Sequence, residues 1–131
     1  MVSEASDSYQ PDSATDTKAL VTALWDTGAT SSVISSDLAS RLSLPVSGRV
    51  MAAHAGGTSR VNVHEVNIYL PNGEKIEGLK VIEATARLQD FDVIIGMDII
   101  TRGDLALTNK DGKSCFSFRI PSQAKIDFTK V

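Results

Sequence analysis

Asp26-Thr27-Gly28 places a carboxylate beside a hydroxyl and a side-chain-free backbone position, directly after the uncharged run Ala19-Leu20-Val21-Thr22-Ala23-Leu24-Trp25. A carboxylate at such a point can do acid-base work. Hydrolysis of an amide needs one group to take a proton from water and another to give one to the departing nitrogen. Two carboxyls a few ångströms apart cannot both ionise easily, so a pair of them holds one proton and serves both needs. Such a pair titrates as a unit, and no single pKa belongs to either member. The tripeptide alone arises by chance in roughly a few per cent of chains of this length, so its flanks decide the reading. Upstream, the apolar run reads as a buried strand. Downstream, Gly28 lets the backbone approach a ligand or a neighbouring chain, and Ala29-Thr30-Ser31-Ser32 lead into Val33-Ile34.

A second segment, Phe91-Asp92-Val93-Ile94-Ile95-Gly96-Met97-Asp98, follows in the order that gives the first its meaning. Together, from about Ala19 to about Leu107, the two resemble the aspartic proteases, and the chain's 131 residues with one Asp-Thr-Gly loop resemble the single-lobed, retropepsin-like branch. That resemblance implies peptide-bond hydrolysis by an Asp26 dyad formed across a homodimer, with peptide or protein as substrate and no cofactor. It implies that Thr27 braces the two loops across the axis and that Gly28 aligns the substrate. Ala29, Thr30, Asp92 and Ile94 are the implied contacts to substrate, and Ala55, Gly56, Gly57 and Thr58 the implied closing flap. Retroviral members pair an acidic residue with an arginine where this chain has Thr30 and Met97, so the chain is expected nearer the cellular and bacterial branches. Trp25 is bulkier than the aliphatic residue expected before the catalytic Asp.

Composition narrows the alternatives. A hydrophobic fraction of 42%, a charged fraction of 22% and a net charge of −3 are those of an ordinary globular domain, without a basic stripe for nucleic acid. No apolar run approaches a bilayer span, so no membrane role is expected. The single cysteine, Cys115, excludes an intrachain disulfide and reads as a buried small hydrophobe. His54 and His64 match no metal-ligand spacing and read as surface strand residues, so no metal is expected. The first residues lack a secretory pattern, which makes the protein cytoplasmic if Met1 is its natural start.

The elements that must position these residues read as mainly β, a retropepsin-like barrel lobe with one short helix near the C-terminal part. Residues 1–17 are polar and read as a flexible arm with no good strand, save weak pairing around Ser8-Tyr9-Gln10; residues 18–121 form the domain and 122–131 a tail. Ser35 or Ser36 caps a helical turn carrying Leu38 and Leu42, which Pro45 stops. Val46 to Val63 reads as a hairpin with a glycine tip, and Pro71-Asn72-Gly73 as the turn before a strand around Ile76 to Ile82. Asp98 reads as the cap of a helix that Gly103 ends. Leu105 to Thr108 and Ser114 to Ile120 read as a hairpin with alternating apolar faces, expected to supply most of a dimer interface. Two rivals keep the pattern without the chemistry: a catalytically inactive dimerisation or peptide-binding module of the same fold, and an unrelated small β-barrel with an accidental tripeptide.

Overall fold

The computed structural model describes residues 1–5, 18–54 and 56–130, and it is mainly β. Strands β1 (Val2–Glu4), β2 (Ala23–Trp25), β3 (Val33–Ile34), β4 (Gly48–His54), β5 (Gly57–Tyr69), β6 (Lys75–Glu83) and β7 (Val93–Ile95) form one sheet in the order β1-β5-β6-β3-β7-β2, with β4 paired to β5. Helix α1 (Ser36–Arg41) lies between β3 and β4, and α2 (Met97–Ile100) follows β7. Strands β8 (Asp104–Thr108) and β9 (Cys115–Arg119) make a separate antiparallel hairpin.

Local chemistry explains most of these elements. Ser35 caps α1 by accepting the Leu38 N–H at 3.1 Å, and Leu38 plugs the core with no exposed surface. β5 alternates buried and half-buried residues, the two-residue period of a strand with one face on the core. Its pairing with β6 slips between Val66 and Ile68; Gly78 takes a φ of 60° there, and its N–H donates to the Asn67 side chain at 3.0 Å. An L side chain would be strained at that backbone angle, so the bulge needs the glycine. The core joins Val2, Ile34, Leu38, Val66, Ile68, Leu79, Val81, Val93, Ile95 and Ile99.

Four expectations are corrected. Val2–Glu4 is a strand, not part of a flexible arm: it pairs with β5 from Val2 opposite Ile68, exchanges 2.9 and 3.0 Å backbone hydrogen bonds with Ala19, and buries Val2 completely. Three residues are too few to show a period, and the partners that hold them, Ala19 and β5, lie beyond any local window. The pairing expected around Ser8-Tyr9-Gln10 lies outside the described residues, as does the side chain of His54. His64 is buried, its Nδ1–H donating to the Pro45 carbonyl at 2.8 Å and its Nε2 lying 3.7 Å from Glu83. Cys115 is exposed, because it belongs to the polar face of β9 with Ser117 and Arg119. Asp98 does not cap α2; Gly96 stands at the N-cap.

Asp104 fastens the end of the chain to the hairpin. Its carboxylate accepts from the Gln123 N–H at 2.8 Å, the Ser122 hydroxyl at 2.5 Å and the Arg119 guanidinium at 2.9 Å. The Gln123 amide, then the Ser122 hydroxyl and Arg119, hold this carboxyl well below the usual carboxylate range.

Candidate active site

Asp26 comes immediately after β2, and its N–H continues the ladder by donating to the Ile95 carbonyl at 2.9 Å. The loop then folds back on itself. The Gly28 N–H donates to Asp26 Oδ1 at 2.8 Å, and the Ala29 N–H to the Asp26 carbonyl at 3.2 Å. A Cβ on Gly28 would sit 3.1 Å from Asp26 Oδ1, so even alanine there would press on the carboxylate. Asp26 is half-buried, with Thr27 and Gly28 exposed beside it. Among the described residues, no cation and no second carboxylate bonds to it.

The loop is hung from the second segment by backbone and side chain together. Met97 N–H donates to the Ala29 carbonyl at 2.7 Å, and Asp98 N–H to the Thr30 carbonyl at 3.2 Å. Below them, Asp98 accepts the Ser32 N–H at 2.8 Å and the Ser32 hydroxyl at 2.7 Å, while Ser32 Oγ accepts the Gly96 N–H at 3.0 Å. The two segments touch so closely that a Cβ on Gly96 would lie 2.7 Å from the Ala29 carbonyl oxygen and 2.9 Å from Ser31 backbone atoms. Only glycine fits that approach. Sequence reasoning missed Ser32 and Asp98 as a pair, because nothing local connects residues 66 apart.

The substrate residues named from sequence fall into three places. Ala29 and Thr30 lie in the Asp26 loop, with Thr30 exposed. Gly56, Gly57 and Thr58 are exposed at the tip of the β4–β5 hairpin, where Gly57 takes a φ of 120°; Ala55 lies outside the described residues. Asp92 and Ile94 stand before and within β7, but the Asp92 carboxylate is already engaged by the Thr22 N–H at 2.9 Å and by Arg41 at 3.2 Å. That carboxylate is a corner brace between β2 and α1.

Ile94 belongs to a larger feature. It is the cross-strand partner of Leu24 on one side and Val33 on the other; Val33 is partnered with Ile82, and Ile82 with Val63. Directly opposed residues share a face, so these five form an aliphatic strip across the sheet. Leu24 is 37% exposed, and Ile94, Val33 and Ile82 are half-buried. Asp26 lies two residues beyond Leu24, and strand alternation carries it to the same face. Trp25 points the other way and packs at a tilt against the β9 aromatics Phe116 and Phe118, with ring centroids 5.1 and 4.9 Å away.

Among the described residues no cluster of three His, Cys, Asp or Glu side chains could hold a metal ion, and no helix is long and apolar enough to cross a membrane.

A mainly β lobe in which an Asp-Thr-Gly loop hangs from an Ile-Ile-Gly strand end is the architecture of the retropepsin-like aspartic proteases. Residues 16–102 match the family described as "gag-polyprotein putative aspartyl protease", and the chain belongs to that family. No curated protein matches it. Among solved structures it is similar to the retroviral protease-like domain of Ddi1 from Leishmania major, at 26% identity and a TM-score of 0.47, over 84% of this chain and 90% of that one.

Proposed function

We propose that the protein is a homodimeric aspartic endopeptidase that lays an extended peptide over the aliphatic strip and cleaves it with a water held between Asp26 of each copy. The observation that carries this reading is the isolation of Asp26: a half-buried carboxylate, fixed by the Gly28 N–H on one oxygen, with no partner charge among the described residues. Amide hydrolysis needs two such groups, and a two-fold axis beside the loop supplies the second from an identical surface.

In the singly protonated pair, the ionised carboxylate takes a proton from the water as its oxygen attacks the scissile carbonyl. The protonated carboxyl stabilises the developing oxyanion, and a proton then passes to the amide nitrogen as the C–N bond breaks. Thr27 braces the loops across the axis. The hairpin tip at Gly56, Gly57 and Thr58 closes over the peptide and keeps bulk water out. Leu24, Ile94, Val33 and Ile82 form an apolar floor, so cleavage falls next to large apolar side chains rather than charged ones.

Digestion of a random peptide pool from acidic to neutral pH, run beside Asp26→Asn, tests the proposal. The expected result is a bell-shaped pH profile for the parent and a loss of several orders of magnitude for the variant, whose fold persists. Undiminished cleavage by a well-folded Asp26→Asn protein excludes the mechanism. A dimer that binds peptides but cleaves none, at any pH in the range, identifies a binding module instead.

A further inference from the structure

The β8–β9 hairpin presents a single apolar face. Leu105 opposes Phe118 and Leu107 opposes Phe116, so all four side chains project to the same side, while Asp104, Ala106, Thr108, Cys115, Ser117 and Arg119 project to the other. That face is only half covered. Leu105 and Phe118 pack against the core, but Leu107 is 60% exposed and Phe116 44%. Trp25 sits at the boundary, its ring against both Phe116 and Phe118 and its backbone paired with Ile95. The next residue is Asp26, whose N–H holds the same Ile95 carbonyl that fixes the loop.

We propose that Trp25 is a positioning residue that transmits docking of a second copy on the exposed half of the hairpin face to the Asp26 loop. The inference rests on the dimeric reading above. The occupant is a second copy because the Asp26 site lacks its second carboxylate, and only another chain of this sequence brings both the missing group and a matching apolar face. Covering Phe116 fixes its ring, and two rings near 5 Å from the indole leave Trp25 one orientation instead of several. Fixing Trp25 fixes the end of β2, and with it the direction in which Asp26 leaves the strand. In the separated chain the outer aromatic faces water, and the loop loses that support. The bulk of Trp25 then has a use that an aliphatic residue could not serve, since an aliphatic side chain cannot reach two rings of β9 at once.

Trp25 is the only tryptophan, so its emission reads this contact without a label. Full-length protein is diluted through the dimer dissociation range, with sedimentation velocity and tryptophan emission recorded on the same samples. The emission change is expected to share its midpoint with dissociation, and to do so equally in Asp26→Asn, where catalysis is gone. Leu107→Glu places a charge on the uncovered half without touching Trp25; it is expected to be a folded monomer whose emission at high concentration equals that of diluted parent. Trp25→Phe is expected to remain a dimer while kcat falls by about tenfold or more with KM little changed, because misplacement of a reacting group costs rate rather than binding. A chain that stays monomeric at all concentrations overturns the inference whatever its activity. Emission that ignores dissociation, or a dimeric Trp25→Phe with parental kcat, overturns it while leaving the proteolytic reading intact. If the Asp26 reading fails, the emission and Leu107→Glu results still decide the coupling.

Discussion

Asp98→Ala removes an acceptor on which three donors converge: the Ser32 N–H at 2.8 Å, the Ser32 hydroxyl at 2.7 Å and the Ile99 N–H at 3.0 Å. Ser32 has no exposed surface, so its two donors cannot turn to solvent when the carboxylate is lost. A hydrogen bond to a charged acceptor contributes about 1.5–3 kcal/mol. Asp98 is itself half-exposed, which holds each bond near the lower end, and the two Ser32 bonds together give roughly 3 kcal/mol. A domain of this size has only about 5–15 kcal/mol in total. Ser32→Ala loses the hydroxyl bond and strands the Gly96 N–H, for about 2 kcal/mol. Because the hydroxyl bond can be lost only once, the double variant is less destabilised than the sum by about 1–2 kcal/mol. Urea unfolding of the parent, both single variants and the double measures this coupling, provided the slopes agree. Asp98→Asn adds an internal control: an amide offers one acceptor oxygen where Ser32 presents two donors, so it should lose about half as much as alanine. Additivity within roughly 0.5 kcal/mol, or a fully stable Asp98→Ala protein, refutes the claim that this pair holds the Asp26 loop in place.

Deleting residues 1–4 should lower stability by about 2 kcal/mol or more, because it empties the fully buried Val2 site and frees an edge of β5. An unchanged denaturation midpoint would show that β1 is dispensable after all. Asp104 binds its proton less readily in the folded than in the unfolded chain, so its contribution is complete at neutral pH and is lost as the pH falls below about 4. Thermal melts from pH 2 to 6 should therefore show an acid limb that Asp104→Asn flattens, and an identical limb in both proteins would locate the acid sensitivity elsewhere.

What could be seen in advance depended on how local its cause was. The Asp26 loop, the Ser35 cap, the glycine-tipped hairpin and the β8–β9 turn are each written in a few adjacent residues, and the structure has them where those residues place them. The features that escaped are fixed by partners far along the chain. Three residues of β1 carry no period, and their place is decided by Ile68 and Ala19. His64 looks like any strand histidine until the Pro45 carbonyl and Glu83 arrive beside it. Asp98 satisfies every local rule for a helix cap, yet a buried hydroxyl 66 residues away is the stronger partner. The aliphatic strip exists only through the register of five strands, and register cannot be read from any one of them.

The acid-arginine pair of the retroviral enzymes has no counterpart at Thr30 and Met97, but the loop is not left untied. Those two positions still meet the opposite segment through backbone, Met97 to Ala29 and Asp98 to Thr30, and a side-chain tie runs beside them between Ser32 and Asp98. A paired acid and base must both be stripped of water, and the attraction between them often does little more than offset that cost. One carboxylate with three donors of its own keeps the geometry while leaving part of its surface in solvent. It also leaves Thr30 exposed and unencumbered beside Asp26, where a retroviral enzyme would have a committed charge. On the proposed function, a peptide over that position meets a hydroxyl rather than an ion pair, and the preference of the site near Thr30 is expected to follow shape and apolar contact on the strip rather than charge.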